Sequence, residues 1–158
     1  MKHKLIFLIA LFVSTNSFGQ NSAIDLFCQK LDSSLVDENI ILHSVRHRTD
    51  FNEAKYFDHY YIDTSKKRII KCMYEFNFEG DGEYMEFYYQ NSKIIKVYAK
   101  HHFGGRRVVG NFYFKSDKLI DHTEGEIDGK IAFDLEHILT TGNSYISNFP
   151  AINKSLNL

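Results

Sequence analysis

Residues 68–78 read RIIKCMYEFNF, from Arg68 to Phe78. Taken two by two, Ile70, Cys72, Tyr74, Phe76 and Phe78 fall on one face and Ile69, Lys71, Met73, Glu75 and Asn77 on the other. That is the period of a β-strand. Working outward, the same period predicts strands over Ile40–Arg48 and Tyr56–Ile62 before this stretch. It predicts others over Glu83–Gln90, Ile94–Phe103, Arg106–Phe114 and Leu119 to about Ile127 after it. The segments between them are short and polar: Asp63-Thr64-Ser65-Lys66-Lys67, Glu79-Gly80-Asp81-Gly82, Asn91-Ser92, Gly104-Gly105 and Ser116-Asp117. Loops this short join only antiparallel neighbours, because a parallel pair needs a crossover of a dozen residues or more. A doubly wound nucleotide-binding sheet is thereby excluded.

The period changes at both ends of this run. Ser22-Ala23-Ile24-Asp25 matches a capping box, and Ile24, Phe27, Cys28, Leu31 and Leu35 then recur at three- and four-residue spacing. This predicts an amphipathic helix over about 23–35. Ile131, Phe133, Leu135, Ile138 and Leu139, then Tyr145, Ile146 and Phe149, predict helix again. Gly142-Asn143 is a break in it and Pro150 its end. The expected fold is α+β: an antiparallel β-meander of about six or seven strands with an N-terminal and a C-terminal helix packed on one face. The chain reads as a leader over 1–19, one domain over 20–150, and a loose tail over 151–158.

Part of the meander repeats. Tyr88-Tyr89-Gln90-Asn91-Ser92-Lys93-Ile94-Ile95-Lys96 aligns without gaps on Tyr113-Phe114-Lys115-Ser116-Asp117-Lys118-Leu119-Ile120-Asp121. Tyr60-Tyr61 … Lys67-Arg68-Ile69-Ile70-Lys71 is a third copy with two extra turn residues. The unit, an aromatic pair, a turn, a basic residue and an aliphatic pair, reads as a hairpin held by cross-strand contacts. It loosely resembles MORN-type hairpin arrays. The evenly placed glycines of those arrays are missing, so a closed domain is expected.

The first residues read as an address. Met1–Lys4 are basic, Leu5–Val13 is an unbroken apolar run, and Ser17-Phe18-Gly19 offers the small residues that a signal peptidase selects. Cleavage after Gly19 and export to the periplasm or medium are expected. A composition rich in Lys, Asn, Ile and aromatics points to a bacterial source. Of 19 Lys and Arg, Lys2 and Lys4 leave with the leader, so 17 face 20 Asp and Glu, a net charge of −3. That balance, with export, gives no reason to expect nucleic acid. No apolar run beyond the leader reaches bilayer length, so no stable membrane insertion is expected after cleavage. In an oxidising compartment Cys28 and Cys72 are candidates for a disulfide, with two buried thiols as the alternative.

Several strands are apolar on both faces: Met85, Phe87 and Tyr89 against Tyr84 and Tyr88, and Ile94 and Tyr98 against Ile95, Val97 and Ala99. Both faces are therefore covered, or one is a binding surface. Tyr84, Tyr88 and Tyr89 are candidates for an aromatic binding face. By two-residue-turn registers Tyr98, Asn111 and His122 share a row, the polar floor of a pocket. Motifs for chemistry are absent. There is no HExxH, no paired Cys and no G-x-S-x-G, so neither a metal nor a cofactor is expected. Glu79-Gly80-Asp81-Gly82-Glu83 alternates carboxylates as calcium loops do, without the rest of such a loop. Asp58-His59 and Asp121-His122 are strand neighbours whose side chains diverge.

Two readings follow. The first is an exported binding module without catalytic activity, recognising a protein or a cell-envelope component. The second is a small-ligand carrier or enzyme with a His- and Tyr-lined pocket between helix and curved sheet, in the manner of cystatin-like or NTF2-like folds. A homodimer closing the open face is a third arrangement. A filled interior with an exposed aromatic face favours the first and an enclosed chamber the second.

Overall fold

A computed structural model of the chain describes residues 19–48, 54–127 and 130–158. The expected leader over 1–19 lies outside them except for Gly19. Helix α1 is already helical at residue 19, ahead of the expected cap at Ser22, and runs to residue 34. Seven strands follow: β1 (Ile40–His47), β2 (Lys55–Asp63), β3 (Arg68–Phe78), β4 (Asp81–Gln90), β5 (Lys93–Phe103), β6 (Arg106–Lys115) and β7 (Lys118–Glu124). They form one antiparallel sheet in sequence order. A small ribbon of β8 (Glu126–Ile127) and β9 (Lys130–Ile131) leads into helix α2 (Leu135–Ser155). The α+β meander expected from the sequence is the observed fold.

The turns explain why the strands stay in order. Glu79-Gly80, Asn91-Ser92, Gly104-Gly105 and Ser116-Asp117 each have two successive positive φ angles, from 50° to 89°. Such paired left-handed residues make the turn whose twist matches that of its strands. The β3–β4 turn is only Glu79-Gly80, and Asp81 and Gly82 already belong to β4.

Three of the hairpins carry a β-bulge at the same place. The register slips between Tyr61 and Ile62, between Tyr88 and Tyr89, and between Tyr113 and Phe114. Tyr61 faces Lys71 and Ile62 faces Ile69, so Ile70 is the extra residue; Ile95 and Ile120 are its equivalents. The repeat seen in the sequence is this bulged hairpin, with the first copy set one residue later, at Tyr61-Ile62. Each bulge keeps two successive side chains on one side of the sheet. It therefore reassigns faces. Ile69, not Ile70, joins Cys72, and Ile94 joins Val97 and Ala99.

The helices take opposite faces of the sheet rather than one, as the sequence reading had them. Ile138, Gly142 and Tyr145 of α2 are buried on Tyr60, Cys72, Phe87, Ile94 and Phe112, with Phe87, Phe112 and Phe114 fully enclosed. Cys28 and Leu31 of α1 pack with Ile70 and Tyr88, flanked by Ile24, Phe27, Tyr61 and Ile95. Of the two explanations for strands apolar on both faces, cover on each side therefore holds beneath the two helices. The same division separates the cysteines: Cys28 lies under α1 and Cys72 under α2, so of the two arrangements open to them they take that of two buried free thiols.

Helix α2 is continuous through both expected breaks. Asp134 caps it, its carboxylate accepting from the Glu136 and His137 amides at 2.9 and 3.0 Å. Gly142 is buried where the helix touches the sheet; a Cβ there would come within 2.6 Å of Ile94 Cδ1 and 2.7 Å of Phe87 Cδ1. Pro150 lies inside the helix. Phe149, Ile152, Leu156 and Leu158 pack against the core around it, so residues 151–158 are not a loose tail. That packing outweighs the hydrogen bond that a proline removes.

Two outcomes are expected. Gly142→Ala gains about 1 kcal/mol of helix propensity but overpacks a closed site at a cost of about 1–3 kcal/mol. A net loss, read as a lower urea midpoint, is expected. Alkylation in denaturant without reductant should modify both cysteines, and in the native state neither. Burial pushes the Cys28 thiol up to about 12, and burial also raises that of Cys72. A species that resists alkylation until reduced would contradict the placement of the two thiols.

Candidate functional site

One row of side chains crosses the sheet beneath α1: Tyr61, Lys71, Tyr88, Lys96, Tyr113 and Asp121 are successive cross-strand partners. Asn21, Asp25 and Asp32, spaced four and seven apart on one side of α1, point down at it. Lys71 Nζ lies 2.8 Å from Asp32 Oδ1 and 2.8 Å from Glu86 Oε2, and donates to the Tyr88 hydroxyl at 2.9 Å. That hydroxyl shares its one hydrogen between Glu86 Oε2 at 2.7 Å and Asp32 Oδ2 at 2.9 Å. One hairpin along, Lys96 Nζ donates to Asp25 Oδ1 at 2.6 Å, and Tyr113 reaches both Asp25 oxygens at 3.1 Å. At the third, the Asn21 side-chain amide donates to Asp121. Each ammonium also lies over its tyrosine ring.

Both partners of the central pair keep their charge. Burial favours the neutral form of Glu86, but hydrogen bonds from Lys71, Tyr84 and Tyr88 outweigh it and hold the carboxyl below its usual range. Burial alone would lower Lys71; its bonds to Asp32 and Glu86 raise it instead. Burial, then Asp25, pushes the Tyr113 phenol up to about 12.

Past this row α1 no longer covers the sheet. The next row is Ser44, His59, Met73, Glu86, Tyr98, Asn111 and Thr123, and the one beyond it Arg46, Phe57, Glu75, Tyr84, Lys100 and Val109. Tyr84 and Tyr98 are half-buried here with rings edge to face at 6.3 Å, and Tyr84 donates to Glu86 Oε1 at 2.5 Å. A depression of about 330 Å³ opens beside them, lined by Glu75, Asn77, Gly82, Tyr84, Lys100, His102 and Arg107 among others. Gly82 is packed closely in its wall: a Cβ there would meet Asn77 Oδ1 at 2.6 Å and the Phe76 carbonyl at 2.8 Å.

The candidates named from the sequence are thus divided. Tyr84, Tyr98 and Asn111 share the open half of one face, Tyr98 opposite Asn111 as expected. Tyr88 is under α1. Tyr89 is on the other face, donating to the Gly142 carbonyl at 2.8 Å. The bulge at Tyr113 moves Asn111 opposite Thr123, so His122 leaves the expected row and stacks on Phe112 across the sheet.

Pieces of acid–base chemistry exist on both sides of the sheet. His47 Nε2 lies 2.6 Å from the buried Asp58 Oδ2, and Tyr145 donates to Asp58 Oδ1 at 2.6 Å. Ser44 Oγ lies 2.8 Å from His59 Nδ1 on the opposite face. A hydroxyl–imidazole pair and an imidazole–carboxylate pair are both present, yet the sheet separates them, so they cannot work as one triad. Sequence reasoning missed the His47–Asp58 pair. The segment joining β1 to β2 is too long to fix their register, and they meet diagonally rather than side by side. Beside them an aromatic bowl of about 400 Å³ opens at the start of α2, lined by Tyr74, Phe76, Phe78, Glu83, His101, Phe103 and His137 among others. The acidic loop is a brace: Asp81 accepts from the Gly104 amide at 2.9 Å, and His102 Nδ1 lies 2.8 Å from the Gly80 carbonyl. Among the described residues no three His, Cys, Asp or Glu gather as metal ligands, and no helix is long and apolar enough to cross a membrane.

Family models, curated proteins and solved structures were each compared with the chain, and none matches it.

The clamp predicts a pH signature. Glu86, with its folded value below the ordinary 4.5, adds stability that is complete above that pH and is lost as pH falls through the folded value. Lys71, raised above 10.5, adds stability that is complete below that pH and is lost as pH rises through its folded value. Lys71→Met removes the cation from both carboxylates. The loss should be about 2–3 kcal/mol, short of the ~3–5 kcal/mol for an enclosed pair because water reaches Asp32. Denaturant midpoints followed downward from about pH 4.5 should fall steeply for the parent and less steeply for the variant.

Proposed function

We propose that this protein is an exported binding module without catalytic activity, which recognises a protein or a cell-envelope component through the open half of the α1 face. The observation that carries this is the incomplete cover. A helix locked at one end of the face leaves Phe57, Tyr84 and Tyr98 half-exposed on a rigid, fully paired sheet, interleaved with Arg46, Lys100 and Asn111. Aromatic rings on a fixed scaffold contribute contact area at little entropic cost, as at other recognition surfaces. The interior under α2 supports the same reading, since Phe87, Phe112 and Phe114 fill the space that a cone-shaped ligand chamber would occupy. The separated histidine pairs support the absence of catalysis. Export rests on the order of charges and apolar residues in the first nineteen positions.

The test is capture from the cell envelope with the exported form, compared with Tyr98→Ser and with Tyr84→Ser/Tyr98→Ser, folding being checked by circular dichroism. A band held by the parent and lost in both variants is expected. Equal capture by all three would overturn the proposal. Tyr88 and Tyr89 are unsuited to the test, because both are buried and their loss would unfold the chain.

A further inference from the structure

We infer that the ligand of the open half-face is an acidic saccharide, a chain of sugar rings bearing carboxylates; this rests on the binding-module reading and names its substrate class. The charge distribution comes first. Arg46, Lys55, Lys100 and Arg107 all project from this half of the sheet, and among the described residues none of them makes an ion pair. Three carboxylates border it, among them Glu83, which lines the depression from the β4 side and lies 3.6 Å from His137 Nε2. Glu86 is already held by Lys71, Tyr84 and Tyr88, and Glu75 accepts from the Asn77 amide at 2.9 Å. A chain that carries more acidic than basic residues after its expected cleavage thus gathers unpaired cations on one uncovered patch. Such a patch attracts anions.

The arrangement of the cations then selects among anions. They alternate along the rows with half-exposed rings: Arg46 has its guanidinium 5.8 Å from the Phe57 centroid, and Lys100 sits opposite Tyr84. A pyranose has an apolar C–H face that packs on such a ring and an equatorial rim of hydroxyls. Asn77 and Asn111 carry amides, donor and acceptor together, on the same face of the sheet. A carboxylate on the ring meets Arg107 or Lys100, and a guanidinium can grip it with two parallel bonds. The depression of about 330 Å³ at Gly82 is at the small end of ligand sites. An acidic peptide fits less well. It gains affinity on a sheet by adding a strand to an open edge, and the depression beside Lys100 and Arg107 lies over β3 to β6, whose main-chain groups are already paired on both sides.

The test titrates the exported full chain, by calorimetry and amide chemical shifts, with tetragalacturonate, cellotetraose and tetraglutamate. Tetragalacturonate should bind, with shifts at Tyr84, Tyr98, Lys100 and Arg107, and should weaken as salt is raised. Lys100→Gln and Arg107→Gln, both solvent-facing, should each weaken it about tenfold, the loss of one charge-assisted hydrogen bond. Lys115→Gln, which removes a charge at a distant turn, should leave it unchanged. Tetraglutamate binding as tightly would overturn the saccharide class in favour of a peptide, and cellotetraose binding as tightly would overturn the role of the cations. Should no probe bind while envelope capture still depends on Tyr98, the saccharide inference fails and the binding module stands. Should capture also be insensitive to Tyr98, both fail.

Discussion

The contact on which the rest depends is the seating of α1 on the row of alternating lysines and tyrosines beneath it. Apolar burial alone would let the helix slide, because a stripe of Ile24, Phe27, Cys28 and Leu31 slips past Ile70, Tyr88 and Ile95 at little cost. Asp25 and Asp32 cannot slide. Each lands between one ammonium and one phenol, and a displaced carboxylate would be stranded over apolar surface. The spacing is commensurate. Seven helical residues advance about 10.5 Å, and two strands advance about 9.6 Å. Between Asp25 and Asp32 one heptad of α1 therefore spans one hairpin, and the helix crosses the strands instead of following them.

From that placement comes the division of labour within the sheet. The face under α2 is apolar at its centre, where two polar contacts fix the helix: Tyr145 on Asp58 and Tyr89 on the Gly142 carbonyl. The face under α1 is half core and half open. Tyr84 and Glu86 stand at the boundary, where the same carboxylate that anchors Lys71 also orients a ring on the open side. Rigidity in the covered half thus becomes preorganisation in the uncovered half.

Much of this was legible in the residues and some was not. Strand order was readable because paired Gly, Asn, Ser and Asp residues mark tight turns, and no loop could hold a crossover. The sharing of a row by Tyr98 and Asn111 followed from Gly104-Gly105 alone. His122 was misplaced because a bulge adds one residue without any change in composition. The repeat of Ile-Ile, Ile-Ile and Leu-Ile just after each turn was its trace. The helices were assigned to one face because two similar apolar stripes do not say which side they choose. The strands apolar on both faces allowed a cover on each side without requiring it. Gly142 and Pro150 mark breaks in isolation; here one is demanded by close approach and the other is overruled by the packing of Phe149 and Ile152. The contact between His47 and Asp58 depends on a register that no nearby turn fixes, and it left no mark in the sequence.

The bulged hairpin has a consequence for how such a molecule could grow. Lys71, Lys96 and Asp121 stand twenty-five residues apart, and each is met by a polar residue of one helix. Duplicating the unit within the gene would lengthen the sheet by two strands and ask for one more heptad of helix to cover them. The architecture is in that sense modular, with its length set jointly by a copy number and a matching ruler. A copy gained without its heptad would widen the uncovered surface and leave the hydrophobic seat of the helix unchanged. New recognition area could arise in this lineage by miscounting alone, before any side chain on it had been selected.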